Sequence, residues 1–87
     1  MQMIELEKRF SYHEPRNDDV RMRFERIREE FFRLASIIDS LTPDSREQSL
    51  AFTALEEAMF WANAVIARNQ EFLPPLDVFE RRFGEKL

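Results

Sequence analysis

The sequence predicts an all-α fold, in which two long helices form an antiparallel hairpin after a short N-terminal segment. Glycine occurs once in 87 residues, against an average usage of roughly 7%, and the chain is rich in arginine, glutamate, leucine and alanine, which favour helices. Apolar residues recur at three- and four-residue steps over two long stretches, which is the period of an amphipathic helix. Only a few residues separate these stretches, so the helices are expected to fold back on each other.

Residues 1–18 are predicted to form a polar N-terminal segment. Pro15 disfavours the α-helical region for Glu14, so this part of the segment should be extended or turned. A short helix within residues 4–9 is compatible with the pattern.

Residues 19–41 are predicted to form the first long helix. Asn17 or Asp18 can cap its N-terminus, because both side chains accept hydrogen bonds from free backbone N–H groups. The apolar stripe of this helix consists of Val20, Phe24, Ile27, Phe31, Leu34, Ile38 and Leu41.

Residues 44–70 are predicted to form the second long helix. Two N-terminal signals precede it and remain alternatives: Thr42 followed by a proline at the first helical position, or Asp44 with Glu47 three residues later. The apolar stripe consists of Ala51, Leu55, Ala58, Met59, Ala62, Val65 and Ile66.

Residues 71–87 are predicted to form a tail. Pro74 and Pro75 stop the second helix, because proline lacks the backbone N–H that a helix interior needs. Residues 77–83 could form a short terminal helix.

The composition excludes several classes of active site. The length predicts a single domain, residues 1–87, with a small core. The chain has no cysteine and a single histidine, His13, which excludes disulfides, thiolate metal sites, a thiol nucleophile and a metal site with several histidines. The one glycine, Gly84, cannot form a glycine-rich phosphate loop. We therefore predict a binding protein and not an enzyme, with no catalytic residue, no metal site and no cofactor.

The charges narrow the class of partner. The net charge is −4, yet 11 of the 13 basic residues are arginine. Long nucleic acids normally require a basic excess, so we expect none as a partner. A small anion held by a few arginines is compatible, since guanidinium groups bind phosphate through two parallel hydrogen bonds. No apolar run approaches the roughly 20 residues that span a bilayer, and no secretory signal is visible, so we expect a cytoplasmic protein without a membrane partner.

Three large aromatic residues do not fit a monomeric hairpin. At 100° per residue, Phe32, Phe60 and Trp61 lie about 120° or more from the centres of the buried stripes. An exposed aromatic patch usually marks a partner surface, so we predict self-association. Burial of these side chains under the C-terminal segment is the alternative.

Several runs of residues resemble one known family. They are FSYHEP at residues 10–15, RIR at 26–28, PDSREQSLA at 43–51, LEEA at 55–58, WANA at 61–64 and IARN at 66–69. Together they make residues 10–69 similar to the second type of anti-CBASS protein, the phage sponges that sequester cyclic oligonucleotide signals. The tail from Gln70 onward carries no such resemblance.

The resemblance implies a helical protein that assembles as a hexamer and acts in the cytoplasm of the infected bacterial host. Such proteins bind the cyclic di- and trinucleotide messengers of the bacterial CBASS immune system. They do not cleave these messengers, and their binding deprives the downstream effector of its activator.

The resemblance also implies two kinds of binding site. In the cyclic dinucleotide site, a tyrosine of the N-terminal segment stacks on a base, a role that Tyr12 matches. A cation of the first helix meets phosphate there, a role that Arg26 or Arg28 matches. In the cyclic trinucleotide site, the arginine of the IAR run, here Arg68, contacts the ligand from symmetry-related chains. We therefore expect Tyr12 and Arg68 to lie in separate sites.

The alternative function belongs to another class. A helical-hairpin adaptor, or an inhibitor of a host protein, would use the same aromatic surface and bind no nucleotide.

Overall fold

The computed structural model describes residues 2–87, which form helices and connecting segments with no strand in that range. The helices are α1 (Met3–Phe10), α2 (Asp18–Leu41), α3 (Arg46–Arg68) and α4 (Leu76–Phe83), and a 3-10 turn at Gln70–Phe72 lies between α3 and α4. α2 and α3 pack along each other as a hairpin. The predicted all-α hairpin is confirmed.

α2 begins with a side-chain cap. Asn17 Oδ1 accepts a hydrogen bond from the backbone N–H of Val20 at 3.1 Å. Asp18 and Asp19 occupy the first turn, where the helix dipole favours negative charge. Of the two predicted caps, Asn17 is therefore the observed one, and the helix ends at Leu41 as predicted.

α3 begins at Arg46, two residues later than predicted. Ser45 Oγ caps it by accepting a hydrogen bond from the backbone N–H of Gln48 at 3.1 Å. Both predicted caps, Thr42 and Asp44, are wrong. The Thr42 hydroxyl instead donates to a carbonyl oxygen in the last turn of α2 at 2.7 Å.

Gln48 closes the hairpin turn. Its side chain is buried, and its Nε2 donates to the Thr42 hydroxyl at 3.0 Å, to the Thr42 carbonyl at 3.4 Å and to the Asp39 carboxylate at 3.4 Å. These bonds join the start of α3 to the end of α2. The side chain therefore holds the two helix ends together.

We expect Gln48→Ala to lower the free energy of unfolding by about 1–2 kcal/mol, because intramolecular hydrogen bonds contribute roughly 0.5–1.5 kcal/mol each. Urea denaturation followed by circular dichroism measures this change. Ser49→Ala, at the exposed neighbouring position, is the matched control and should change stability by less than about 0.5 kcal/mol. Equal stabilities for Gln48→Ala and the unchanged protein would contradict the role of the side chain.

The tail folds back against α2. α3 ends at Arg68, two residues before its predicted end, and the predicted terminal helix is present as α4. Arg23 Nη2 donates to the Pro74 carbonyl at 2.7 Å, and the guanidinium carbon of Arg26 lies 5.0 Å from the centre of the Phe79 ring. Gly84 ends α4 at φ 67°, a left-handed conformation that glycine adopts without strain.

The isolated protomer buries little apolar surface. Val20 and Ile66 are the buried apolar residues of the range 2–87. The accessible surface is 7137 Å², whereas a compact monomer of this mass exposes about 5,400 Å². The radius of gyration is 15.8 Å, against about 12 Å for a compact domain of this length. The protomer is therefore more open than a self-sufficient globule.

The three aromatic residues off the hairpin stripes are exposed. The exposed fractions of Phe32, Phe60 and Trp61 are 75%, 61% and 60%. The C-terminal segment does not cover them, so the alternative of burial under the tail is wrong. Phe32 also borders an apolar groove of about 430 Å³ together with Phe52 and Met59. Self-association stays a prediction, with this groove as a surface that it could bury.

α3 has an apolar outer face. Its length and a mean hydropathy of 1.2 over 18 residues would allow it to cross a membrane. Two adjacent carboxylates, Glu56 and Glu57, lie near its middle, where charge is costly at the centre of a bilayer. α3 also packs along α2. This packing and the two charges favour a helix of the hairpin over a membrane-spanning helix.

Candidate functional site

The C-terminal end of α3 and the turn that follows it hold the N-terminal segment in place. Gln70 Oε1 accepts a hydrogen bond from the Arg16 backbone N–H at 2.9 Å, and Gln70 Nε2 donates to the Glu14 carbonyl at 2.9 Å. Arg68 Nη2 donates to the Arg9 carbonyl, in α1, at 3.3 Å. The segment between α1 and α2 therefore runs past the end of α3.

His13 shapes this segment just after α1. Its Nε2 donates to the Lys8 carbonyl at 2.7 Å, which closes a local turn. The adjacent Tyr12 is left with 85% of its surface exposed. A large aromatic ring therefore extends from a segment that is fixed at both ends.

A cavity of about 580 Å³ lies between the N-terminal segment, α2 and α3. Small-molecule sites range over roughly 300–1,000 Å³. The cavity is lined by four basic residues, Arg9, Arg21, Arg28 and Arg68, and by one acidic residue, Glu25. Positive charge is thus concentrated here, in a chain whose net charge is −4.

Three of these arginines are not neutralised within the protomer. Arg21 is paired with Asp18, with Nη1 and Oδ1 3.1 Å apart. Within residues 2–87, no carboxylate oxygen lies within 4.0 Å of the charged groups of Arg9, Arg28 or Arg68. Guanidinium groups carry five donors and no acceptor, so these side chains can bind an anion.

Apolar surface lies beside the cations. α2 contributes Phe24, and α3 contributes Phe60, Ala64 and Ala67. The two alanines have no atoms beyond Cβ, which leaves space between the aromatic rings and the arginines. The arrangement suits a molecule that carries both flat apolar rings and negative charge.

Arg26 lies outside this cavity and holds the tail. Its Nη2 pairs with the carboxylates of Glu85 and of Glu30, the latter at 3.1 Å. The hydrogen bond to Glu85 raises the pKa of Arg26 above its ordinary value; burial opposes this rise, and the charges of Glu85, Glu30 and Glu29 add to it. Arg26 is therefore cationic and already occupied by carboxylates of its own chain.

The structure brings together three of the four predicted site residues. Tyr12, Arg28 and Arg68 line the cavity, and Arg26 does not. Of the two predicted phosphate-binding candidates, Arg28 is the one that faces the cavity. Tyr12 and Arg68 border the same cavity, so the expectation that they lie apart does not hold within one protomer.

Asn63, Arg9 and Arg21 are among the lining residues that were not predicted from the sequence. Asn63 shares a face of α3 with Phe60 and Ala67, at helical spacings of three and four residues, so its position could have been found. Arg9 lies on α1 and Arg21 on α2. They meet at the cavity because the N-terminal segment packs against the end of α3, which no local sequence pattern shows.

A comparison with known protein families finds a match over most of the chain. The profile of the Acb2/Tad1 hairpin domain matches residues 3–67, which contain Tyr12 and Arg28 and end one residue before Arg68. No curated protein and no solved structure matches the chain. The match covers α1, α2 and almost all of α3 but not α4. The chain belongs to the Acb2/Tad1 hairpin-domain family, the anti-CBASS family of cyclic oligonucleotide sponges.

Proposed function

We propose that this protein sequesters the cyclic di- and trinucleotide messengers of bacterial CBASS immunity, without cleaving them, in the cytoplasm of the infected host. One observation carries the proposal. Arg9, Arg28 and Arg68, which have no carboxylate partner in the described part of the chain, converge with the exposed Tyr12 on one cavity. Membership of a sponge family supports this class of ligand.

The chemistry of the ligand matches the lining of the cavity. A cyclic dinucleotide presents two phosphates and two flat bases. Arg28 and Arg68 can donate paired hydrogen bonds to phosphate, which are roughly twice as strong as neutral ones. Tyr12 can stack on a base, and such stacking contributes roughly 1–3 kcal/mol. Because the rest of the protein is acidic, this small positive region favours a compact anion over a long polyanion.

The absence of cleavage is proposed from the side chains present. The cavity is lined by one carboxylate, Glu25, and one imidazole, His13, whose Nε2 is engaged by a backbone carbonyl. Among residues 2–87, no group of three His, Cys, Asp or Glu side chains is placed to hold a metal ion. We therefore propose binding without turnover, in which the donors of the cavity only hold the ligand.

We propose a hexameric assembly. The protomer is open and has an apolar groove bordered by Phe32, Phe52 and Met59. Exposed apolar surface of this kind supports burial of the groove against further copies of the chain. A symmetric assembly would repeat each cavity arginine around an axis. A cyclic trinucleotide could then contact Arg68 of several chains.

The adaptor function remains the second candidate, and the apolar groove alone favours it. A protein partner could cover Phe32 and its neighbours as well as a second copy could. That function gives no role to the unpaired arginines of the cavity, which is why binding of a nucleotide is preferred.

We expect a cyclic dinucleotide to stabilise the protein and to be recovered unchanged. A ligand that binds only the folded state adds about 2.7 kcal/mol of stability at 100 times its dissociation constant, which a thermal melt detects. After incubation and denaturation of the protein, chromatography should return the intact cyclic dinucleotide. Recovery of linear dinucleotide would contradict the absence of cleavage. Melting curves that no cyclic di- or trinucleotide shifts would contradict the proposal and favour the adaptor.

A further inference from the structure

Asn63 carries a buried polar atom that the fold does not use. Its side-chain oxygen, Oδ1, is buried and has no hydrogen-bond partner within residues 2–87. Most buried side-chain polar atoms in proteins are paired, so an exception calls for an explanation. Asn63 also lines the cavity that holds Tyr12, Arg28 and Arg68.

A second asparagine of the same region shows the contrast. Asn69, at the end of α3, donates through Nδ2 to the Val65 carbonyl at 2.8 Å and accepts through Oδ1 from Lys8 Nζ at 3.3 Å. Its amide therefore has a structural role. The only other buried side-chain nitrogen or oxygen of residues 2–87 without a hydrogen-bond partner is Arg26 Nε, and Arg26 lies outside the cavity. Asn63 is thus the one such group that borders the cavity.

The neighbours of Asn63 suggest what its oxygen accepts. On α3, Phe60, Ala64 and Ala67 form an apolar wall against which a flat base could lie. The arginines of the cavity are donors only and cannot accept a hydrogen bond from a base. The Glu25 carboxylate is an acceptor, but its negative charge would face the phosphates of the ligand. The neutral amide oxygen of Asn63 has no such conflict.

We infer that Asn63 reads the base of the bound cyclic nucleotide: its Oδ1 accepts a hydrogen bond from an amino group on the edge of the base. This inference rests on the proposed function. Because Oδ1 is shielded from water in the free protein, the amide turns toward the cavity to make this contact, and the hydrogen bond then satisfies an oxygen that the fold leaves unpaired. A base that lacks the amino group leaves this oxygen unpaired and binds more weakly.

The test compares two cyclic dinucleotides in isothermal titration calorimetry. One is cyclic di-adenosine monophosphate, and the other is its analogue with purine in place of adenine, which lacks only the amino groups. The unchanged protein should prefer the adenine compound by about 3- to 10-fold. Asn63→Leu, which keeps a similar shape, should bind both compounds equally and with the affinity that the unchanged protein shows for the purine analogue.

Two further variants separate base reading from folding and from charge. Asn63→Leu removes an unpaired acceptor and should melt at the same temperature as the unchanged protein or higher. Asn63→Asp keeps an acceptor, so it should bind both compounds more weakly but retain the preference for adenine. Should Asn63→Leu fail to fold, Asn63→Ala serves for the same comparison of affinities.

The outcomes distinguish this inference from the proposed function. Equal binding of the two compounds by the unchanged protein, or an undiminished preference after loss of the amide, would overturn the role of Asn63 alone. No binding of either compound, or of any cyclic trinucleotide, by the unchanged protein would overturn the proposed function and this inference together.

Discussion

Arg28→Ala is expected to weaken the binding of cyclic dinucleotides by about 10- to 150-fold. Arg28 lines the cavity and has no carboxylate partner among the described residues, so its donors are free for phosphate. A hydrogen bond to a charged group contributes about 1.5–3 kcal/mol, and each 1.4 kcal/mol is a factor of ten in affinity. Isothermal titration calorimetry measures the loss.

Arg26→Ala is the matched control, since it is the same substitution on the same helix two residues away. Arg26 holds the tail through Glu85 and the ring of Phe79, so its loss should lower the melting temperature. The affinity for ligand should stay within about twofold, because Arg26 lies outside the cavity and shares no partner with Arg28.

Glu85→Ala provides a check on this control from the other side of the ion pair. It should lower the melting temperature as Arg26→Ala does, and the double variant should lose less than the sum of the two single losses, since both changes remove one interaction. A loss of affinity in Arg26→Ala equal to that in Arg28→Ala would contradict the assignment of the phosphate contact.

The helices were predictable because their signals are local. The apolar stripe that runs from Val20 to Leu41 has the helical period, and Asn17 stands where a cap is needed, so α2 was predicted to within one residue of its bounds. The start of α3 was less certain from sequence. Thr42, Asp44 and Ser45 can all cap a helix, and the Thr42 hydroxyl is engaged at the end of α2 by a contact across the turn.

The site was predictable only in part, because its residues meet through tertiary contacts. Tyr12 and Arg68 were identified from family resemblance, but no local pattern shows that the bonds of Gln70 to the N-terminal segment bring them to one cavity. The choice between Arg26 and Arg28 depends on α4, which lies outside the matched family range. The pair of Arg26 with Glu30 is local to α2, but the contacts of Arg26 with Glu85 and Phe79 depend on how the tail folds back.

Trp61→Asp is expected to dissociate the proposed assembly. The side chain is 60% exposed in the protomer, so in an isolated chain the change costs only the packing of the covered part of the ring. At an interface between copies, the same change buries a carboxylate without a partner, which is far more costly. Light scattering at micromolar concentration should therefore show a much smaller particle than the unchanged protein forms.

Trp61→Phe is the control that keeps an aromatic ring at the same position, and it should leave the mass of the particle unchanged. A monodisperse monomer for the unchanged protein would contradict self-association. An undiminished particle for Trp61→Asp would place this side chain outside the interface.

Circular dichroism of Trp61→Asp then shows how far folding depends on assembly. Val20 and Ile66 are the buried apolar residues of the described chain, and a domain of this size has a marginal core even when compact. A chain released from its partners should therefore lose helix content on dilution, since packing of apolar faces supplies most of the stability of helices. Helix content that stays constant on dilution would show that the hairpin and its tail fold without partners.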